Sequence, residues 1–248
     1  MAKWNDPQPP QTGFGASPSL NGEAIGKAGT YDQGLRKHML SIYNYMASGV
    51  LLSGVVAMLF ASSGMAAQVM ATPLRWLIIL APLGFVMAMS FGLNRMRTST
   101  LQALFWAFCV VMGLSMSTIF LVYTGASIAT TFFATAGAFA GLSLVGYTTK
   151  RDLSAMGSFM IMGLIGIMIA MVINIFLQSS GLNLAISILG VLIFAGLTAW
   201  DTQRLKLEYA QVAGTEYAGK AVVMGALSLY LDFINMFQFL LSILGDRR

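Results

Sequence analysis

Apolar residues run along this chain in seven long blocks, separated by short polar stretches. The blocks cover about residues 43–61, 76–93, 103–123, 128–147, 156–177, 184–202 and 222–244. A helix needs about 20 apolar residues to cross the hydrocarbon core of a bilayer. Each block is close to that length. Lipid tolerates only helices and closed barrels as spanning elements, and none of the blocks has the alternation of a barrel strand. The pattern predicts an all-α, polytopic membrane protein of seven transmembrane helices.

Residues 1–30 break the pattern. They are polar and rich in Pro, Gly, Ser and Asn, and cannot bury enough apolar area to offset the entropy of ordering. A flexible tail is expected there, followed by a membrane domain over 31–248. The tail has no basic start leading into an apolar core, so a cleaved signal peptide is not expected.

Composition strengthens the membrane reading. The 248 residues are 57% hydrophobic and only 9% charged, against about 25% charged in soluble domains. The net charge of +5 is spread between apolar blocks, which does not suggest nucleic acid. The single cysteine, Cys109, excludes an intrachain disulfide. The 18 methionines suit adaptable helix packing better than metal binding. Gly137 with Gly141, and Gly163 with Gly166, are expected to let helices pack closely within the chain.

The basic residues set the expected orientation. Arg36, Lys37, Arg95, Arg97, Lys150, Arg151, Arg204, Lys206 and Lys220 all fall at the end of the bundle that carries the N-terminus. Between spans, the other end has only Arg75. Lys and Arg accumulate on the cytoplasmic side, so a cytoplasmic N-terminus is expected. Seven crossings then place Arg247 and Arg248 outside; a last segment that re-enters would place them inside.

Two of the nine acidic residues stand apart. Asp232 lies inside the seventh block, in SLYLDFINMFQFLLS, and Asp201 near the end of the sixth, in LTAWDTQRLK. Ser228, Asp232, Asn235, Gln238 and Ser242 are spaced 4, 3, 3 and 4 apart, which places them on one helical face. A bundle turns such a stripe inward. The stripe is then either a polar network that holds helices together or a functional site.

The sixth helix has no breaker after Asp201 and should continue past it. The sixth and seventh spans are consecutive and antiparallel, so the two carboxylates can meet. Such a pair in a low-dielectric site cannot both ionise cheaply, and holds a shared proton. When deprotonated it offers oxygens to a hard cation such as Ca²⁺, making Asp201 and Asp232 the candidate metal ligands. Asp201 should also seek a cation near its helix C-terminus. Arg204 lies three residues on, and Arg95 is available from the second span.

The stretches GLSMSTIFLVYT, GYTTKRDLS, LTAWDTQRLK and GALSLYLDFINMF resemble the Bax inhibitor-1 family, also called the transmembrane Bax-inhibitor-motif family, in its bacterial inner-membrane form. The resemblance extends from Tyr31 to Arg248. It implies six helices around a central seventh and a pH-sensitive passive calcium leak, with Asp201 and Asp232 as the sensor. It further implies an arginine latch on the sixth-helix acid. That position falls on Arg95, or else on Arg97. Some relatives carry a carboxylate midway along the second helix, where this chain has Pro82 and Gly84.

Two other readings compete. Some bacterial relatives regulate a membrane-bound ATP-dependent protease, and a non-conducting regulator of that kind, or of membrane protein quality control, would suit the polar tail. Paired intramembrane aspartates also occur in membrane proteases, but LYLDFIN lacks their G-x-G-D sequence, so no enzyme is expected. His38, beside Arg36 and Lys37, is expected to be solvated. No zinc cluster and no nucleotide-binding loop occur, so no cofactor is expected; the expected partners are the lipid bilayer, Ca²⁺ and protons.

Overall fold

The computed structural model of the chain describes residues 22–247, with side chains from Gln33 onward. The described residues form eight helices: α1 (Gly22–Ser62), α2 (Met65–Met70), α3 (Leu74–Gly92), α4 (Thr98–Val122), α5 (Gly125–Thr148), α6 (Ser154–Leu177), α7 (Ser180–Val212) and α8 (Tyr217–Leu244). All but α2 are long and apolar enough to cross a membrane. They match the seven predicted blocks, containing each to within one residue. The short α2 lies in the first connection, where the sequence pattern predicted only a turn.

The first helix also starts earlier than expected. Residues 22–30 continue α1 because the stretch up to Tyr31 contains no proline and several good helix formers. The rest of the expected tail, residues 1–21, lies outside the described residues. The α7 helix runs past Asp201 to Val212, as the missing breaker predicted.

The turns carry their own chemistry. Thr124 caps α5 by accepting from the Ser127 amide at 3.3 Å, and Ser179 caps α7 by accepting from the Leu182 amide at 3.3 Å. Lysines satisfy the last carbonyls of two other helices. Lys206 Nζ donates to the Tyr147 carbonyl of α5 at 2.7 Å, and Lys220 Nζ to the Leu93 carbonyl at the end of α3 at 3.0 Å.

The described residues begin and finish at opposite ends of the bundle. Asp246, just beyond α8, is fastened to the α4–α5 turn. The Thr124 amide donates to its carbonyl at 3.1 Å, and Ser127 Oγ lies 3.0 Å from its amide. Since α8 starts at the end where α7 finishes, it crosses in full; the re-entrant alternative is excluded. We call the two faces the basic end, with the α3–α4, α5–α6 and α7–α8 turns, and the C-terminal end.

At the centre stands α8. Half of its span is buried, against 6% for α6. It packs on α1, α4, α5 and α7. The expected ring of six is therefore incomplete: α3 packs on α4 and α2, and α6 only on α7. Tyr217 Oη, which donates to Asn94 Oδ1 at 2.9 Å, and Lys220 link α3 to α8 at the basic end. The exposed faces of α3 and α6, with Trp76, Leu77, Phe91, Phe159, Met162 and Phe176, are apolar, as lipid-facing surfaces must be.

The core holds a polar clasp. Ser53 Oγ lies 2.6 Å from Tyr230 Oη and 2.7 Å from the Cys109 carbonyl. A hydroxyl has one proton to give. Tyr230 therefore donates to Ser53, which donates to the carbonyl, joining α8, α1 and α4.

Glycines were expected to mediate close packing, and only some do. Gly146 of α5 meets the backbone of Ala199 on α7 so closely that any side chain there would collide with it. Gly137, Gly141 and Gly166 face open space instead, because α5 and α6 turn those sides outward.

Candidate functional site

Asp201 and Asp232 come together between α7 and α8. Both are buried, each only 5% exposed. Their carboxyl groups face each other within hydrogen-bonding reach, and Arg204 acts on both. A carboxyl–carboxyl hydrogen bond requires one of the two to carry a proton. Asp232 Oδ2 has no hydrogen-bond partner among the described residues, which leaves it the open acceptor of the pair.

Ser228 and Arg204 surround Asp201. Ser228 Oγ donates to Asp201 Oδ2 at 2.7 Å and accepts from Arg204 Nη2 at 3.1 Å. Arg204 Nη2 also lies 2.9 Å from Asp201 Oδ1. Asp201 Oδ2 is thus hydrogen-bonded, while Oδ1 has the ion pair but no hydrogen bond among the described residues. The i+3 spacing on one helix brings the cation to the acid.

The arginine is itself positioned. Its guanidinium lies 4.9 Å from the centre of the Trp200 ring. That ring sits directly over Gly157 of α6, where a side chain would occupy the ring's own space. A glycine on one helix thus seats a tryptophan on the next, and the tryptophan holds the arginine that faces the acid.

The latch expected at Arg95 or Arg97 is not at the acids in this structure. Both residues are exposed at the α3–α4 turn, and neither makes an ion pair among the described residues. The physical reason is the stand-off of α3, which packs on α4 rather than on α7 or α8. The cation that faces Asp201 is instead Arg204, on the acid's own helix.

The polar stripe lines a cavity. Ser228, Asp232, Asn235, Gln238 and Ser242 all face a void of about 760 Å³ between α6, α7 and α8. The void exists because α6 and α8 do not pack on each other. From Ser228 to Ser242 it follows α8 for about 21 Å at 1.5 Å per residue. Asn174, Asn183 and Ser187 add polar groups toward the C-terminal end. Ser187 Oγ donates to the Asn183 carbonyl at 2.8 Å and so accepts from Ser242 Oγ at 3.0 Å, and Asn235 Nδ2 donates to the Leu231 carbonyl at 2.8 Å. Ser228 and Asp232 line this cavity toward its basic end.

Among the described residues, no three side chains of His, Cys, Asp or Glu gather into a metal site. A hard cation at Asp232 would draw its remaining oxygens from Ser228, Asn235 and Gln238. Two acids plus hydroxyl and amide oxygens suit weak, transient coordination of Ca²⁺.

His38 corrects a further expectation. It is buried, with its ring 5.2 Å from that of Tyr209, and its Nε2 has no hydrogen-bond partner among the described residues. The long α1 and α7 stay packed against each other near the basic end, and His38 lies between them.

The fold and the acid pair define a class: a seven-span helical membrane protein whose central helix carries one half of a buried carboxyl pair. The sequence profile of the family described as "Inhibitor of apoptosis-promoting Bax1" matches residues 35–248. The chain belongs to this family, the Bax inhibitor-1 family. It is 46% identical over 220 residues to an uncharacterized protein of Rickettsia prowazekii, covering 88% of this chain and 93% of that one. It is 46% identical over 231 residues to an uncharacterized protein of Caulobacter vibrioides (88% and 91% covered). It is 43% identical over 219 residues to the inner membrane protein YbhL of Escherichia coli K12 (87% and 94% covered).

Proposed function

We propose that this chain is a passive, proton-gated leak for calcium in a bacterial inner membrane. The observation that carries the reading is the buried Asp201–Asp232 pair, whose Asp232 lines the polar cavity. The cavity offers a run of polar side chains along α8 toward the C-terminal end. The pair supplies both the charge that attracts a cation and the site that takes a proton.

The gate follows from the ion pair. While Asp201 is ionised, Arg204 stays on it and the positive guanidinium opposes a cation at the basic side of the pair. A proton taken up by the carboxyl pair weakens the attraction, and Arg204 is free to turn toward the surface on its long side chain. Protons bind the two states differently, as any ligand that shifts a conformational equilibrium must. Flux then rises as pH falls. Neither acid is coupled to an energy source, so the flux is downhill.

The basic end faces the cytoplasm on this reading, by the excess of Lys and Arg there. That orientation places the N-terminus inside and the mouth of the cavity outside. The inner-membrane location follows the relative in Escherichia coli, whose name states it. A regulator of a membrane protease would not need the cavity, and the cavity favours the leak.

The test is Ca²⁺ uptake into liposomes holding the purified protein, measured over a series of pH values from neutral to acid. Asp201→Asn with Asp232→Asn should flatten the profile. A profile that survives both changes refutes the proposed sensor.

A further inference from the structure

We propose that the cleft between α1 and α5 binds one anionic phospholipid from the leaflet at the basic end, with an acyl chain in the cleft and the phosphate on Arg36. The helices α1 and α5 do not pack on each other. They leave a cleft of about 730 Å³ whose floor includes Phe233 of α8. Apart from Arg36 and the hydroxyls of Ser143, Tyr43 and Tyr147, every side chain facing it is apolar. Exposed Leu40, Leu51 and Leu144 form its rims, so lipid enters from the side.

Length and charge identify the occupant. From Arg36 to Val50 the α1 axis advances about 21 Å at 1.5 Å per residue. One leaflet with its headgroups measures about 20–22 Å, half of a bilayer about 40–45 Å thick. The cleft therefore fits a single lipid reaching from phosphate to midplane. Arg36 stands at its headgroup end, exposed, with no acidic partner among the described residues. Lys206 adds positive charge at the same mouth, its Nζ 5.0 Å from the Tyr147 ring centre. Basic pockets between spans bind anionic headgroups.

The adjoining void toward the C-terminal end sharpens the assignment. It holds about 370 Å³ and shares Val50, Leu51, Phe132 and Phe233 with the first. No cation lines it, so nothing there selects a headgroup. Charge complementarity singles out the basic-end leaflet.

Native mass spectrometry of the purified protein, titrated with phosphatidylglycerol or with phosphatidylcholine of the same chains, tests the site. The wild type should retain phosphatidylglycerol several-fold more than phosphatidylcholine. Arg36→Gln should lower it to the phosphatidylcholine level, whereas Lys150→Gln, an equal loss of charge in the α5–α6 turn, should preserve the preference. Ala140→Trp and Ala47→Trp, which fill the cleft from opposite walls, should each remove one bound lipid. Equal retention of the two lipids overturns the proposal, as does an Arg36→Gln variant that behaves like wild type or a Lys150→Gln variant that behaves like Arg36→Gln. If the tryptophan variants release a co-purified membrane protein and leave the lipid count unchanged, the cleft docks a helix and the lipid assignment fails.

Discussion

The central helix α8 faces two gaps in the bundle, and their chemistry is opposite. One lies between α6 and α8, the other between α1 and α5 over α8. Their volumes are nearly equal, about 760 and 730 Å³. Size therefore does not distinguish them. The first is lined by Ser228, Asp232, Asn235, Gln238 and Ser242; the second is floored by Phe233. On the proposed reading, a helix that places a polar stripe on one side and aromatic rings on the other meets water and ions on one side and lipid on the other. The partition arises from the 3.6-residue period, since Asp232 and Phe233 are adjacent in the chain and point about 100° apart.

Filling the two gaps should break the comparison most sharply. Asn235→Leu with Gln238→Leu makes the polar gap apolar, and Ca²⁺ flux into liposomes should fall on the order of tenfold or more, because a cation then meets an unsolvated stretch. Ala140→Leu in the apolar cleft should leave flux within about twofold, since no ion path runs there. Equal losses in the two variants would mean that the gaps do not differ in role.

A smaller effect is expected at the gate. Arg204→Gln should raise flux at neutral pH about threefold to tenfold, the range for losing a charge-assisted contact that is partly screened by solvent. Arg95→Gln should leave that flux unchanged, because its guanidinium does not reach the acids in this structure. The reverse order of effects would return the latch to the α3–α4 turn.

The smallest effect belongs to the core under the apolar side. Ser53→Ala strands the Tyr230 hydroxyl and should cost about 1 kcal/mol of stability, read as a drop of a few degrees in Tm. The pH profile of flux should not move. A changed profile would show that the clasp communicates with the acid pair.

Much of this contrast can be read from the chain alone. Lipid restricts spanning segments to helices, so the apolar blocks reveal the spans. An acid within such a block must find the interior, so Asp201 and Asp232 are legible as a pair. The 4, 3, 3, 4 spacing reveals the stripe. What stays hidden depends on which helix neighbours which. The stand-off of α3 moves Arg95 from the acids, and no local pattern encodes it. Trp200 resting on Gly157 positions Arg204, yet these residues lie on different helices. The burial of His38 depends on α1 and α7 remaining packed near the basic end. The apolar cleft is invisible in sequence because its walls look like any lipid-facing helix; only the gap between α1 and α5 makes it a site.

The most direct test of the central claim is Ca²⁺ flux through purified protein in liposomes, compared between wild type and Asp232→Asn across pH. The account predicts a wild-type flux that climbs as the medium is acidified, and a variant whose flux barely responds to pH. A variant that keeps the wild-type acid response would contradict the shared proton at α7 and α8, and with it the gate.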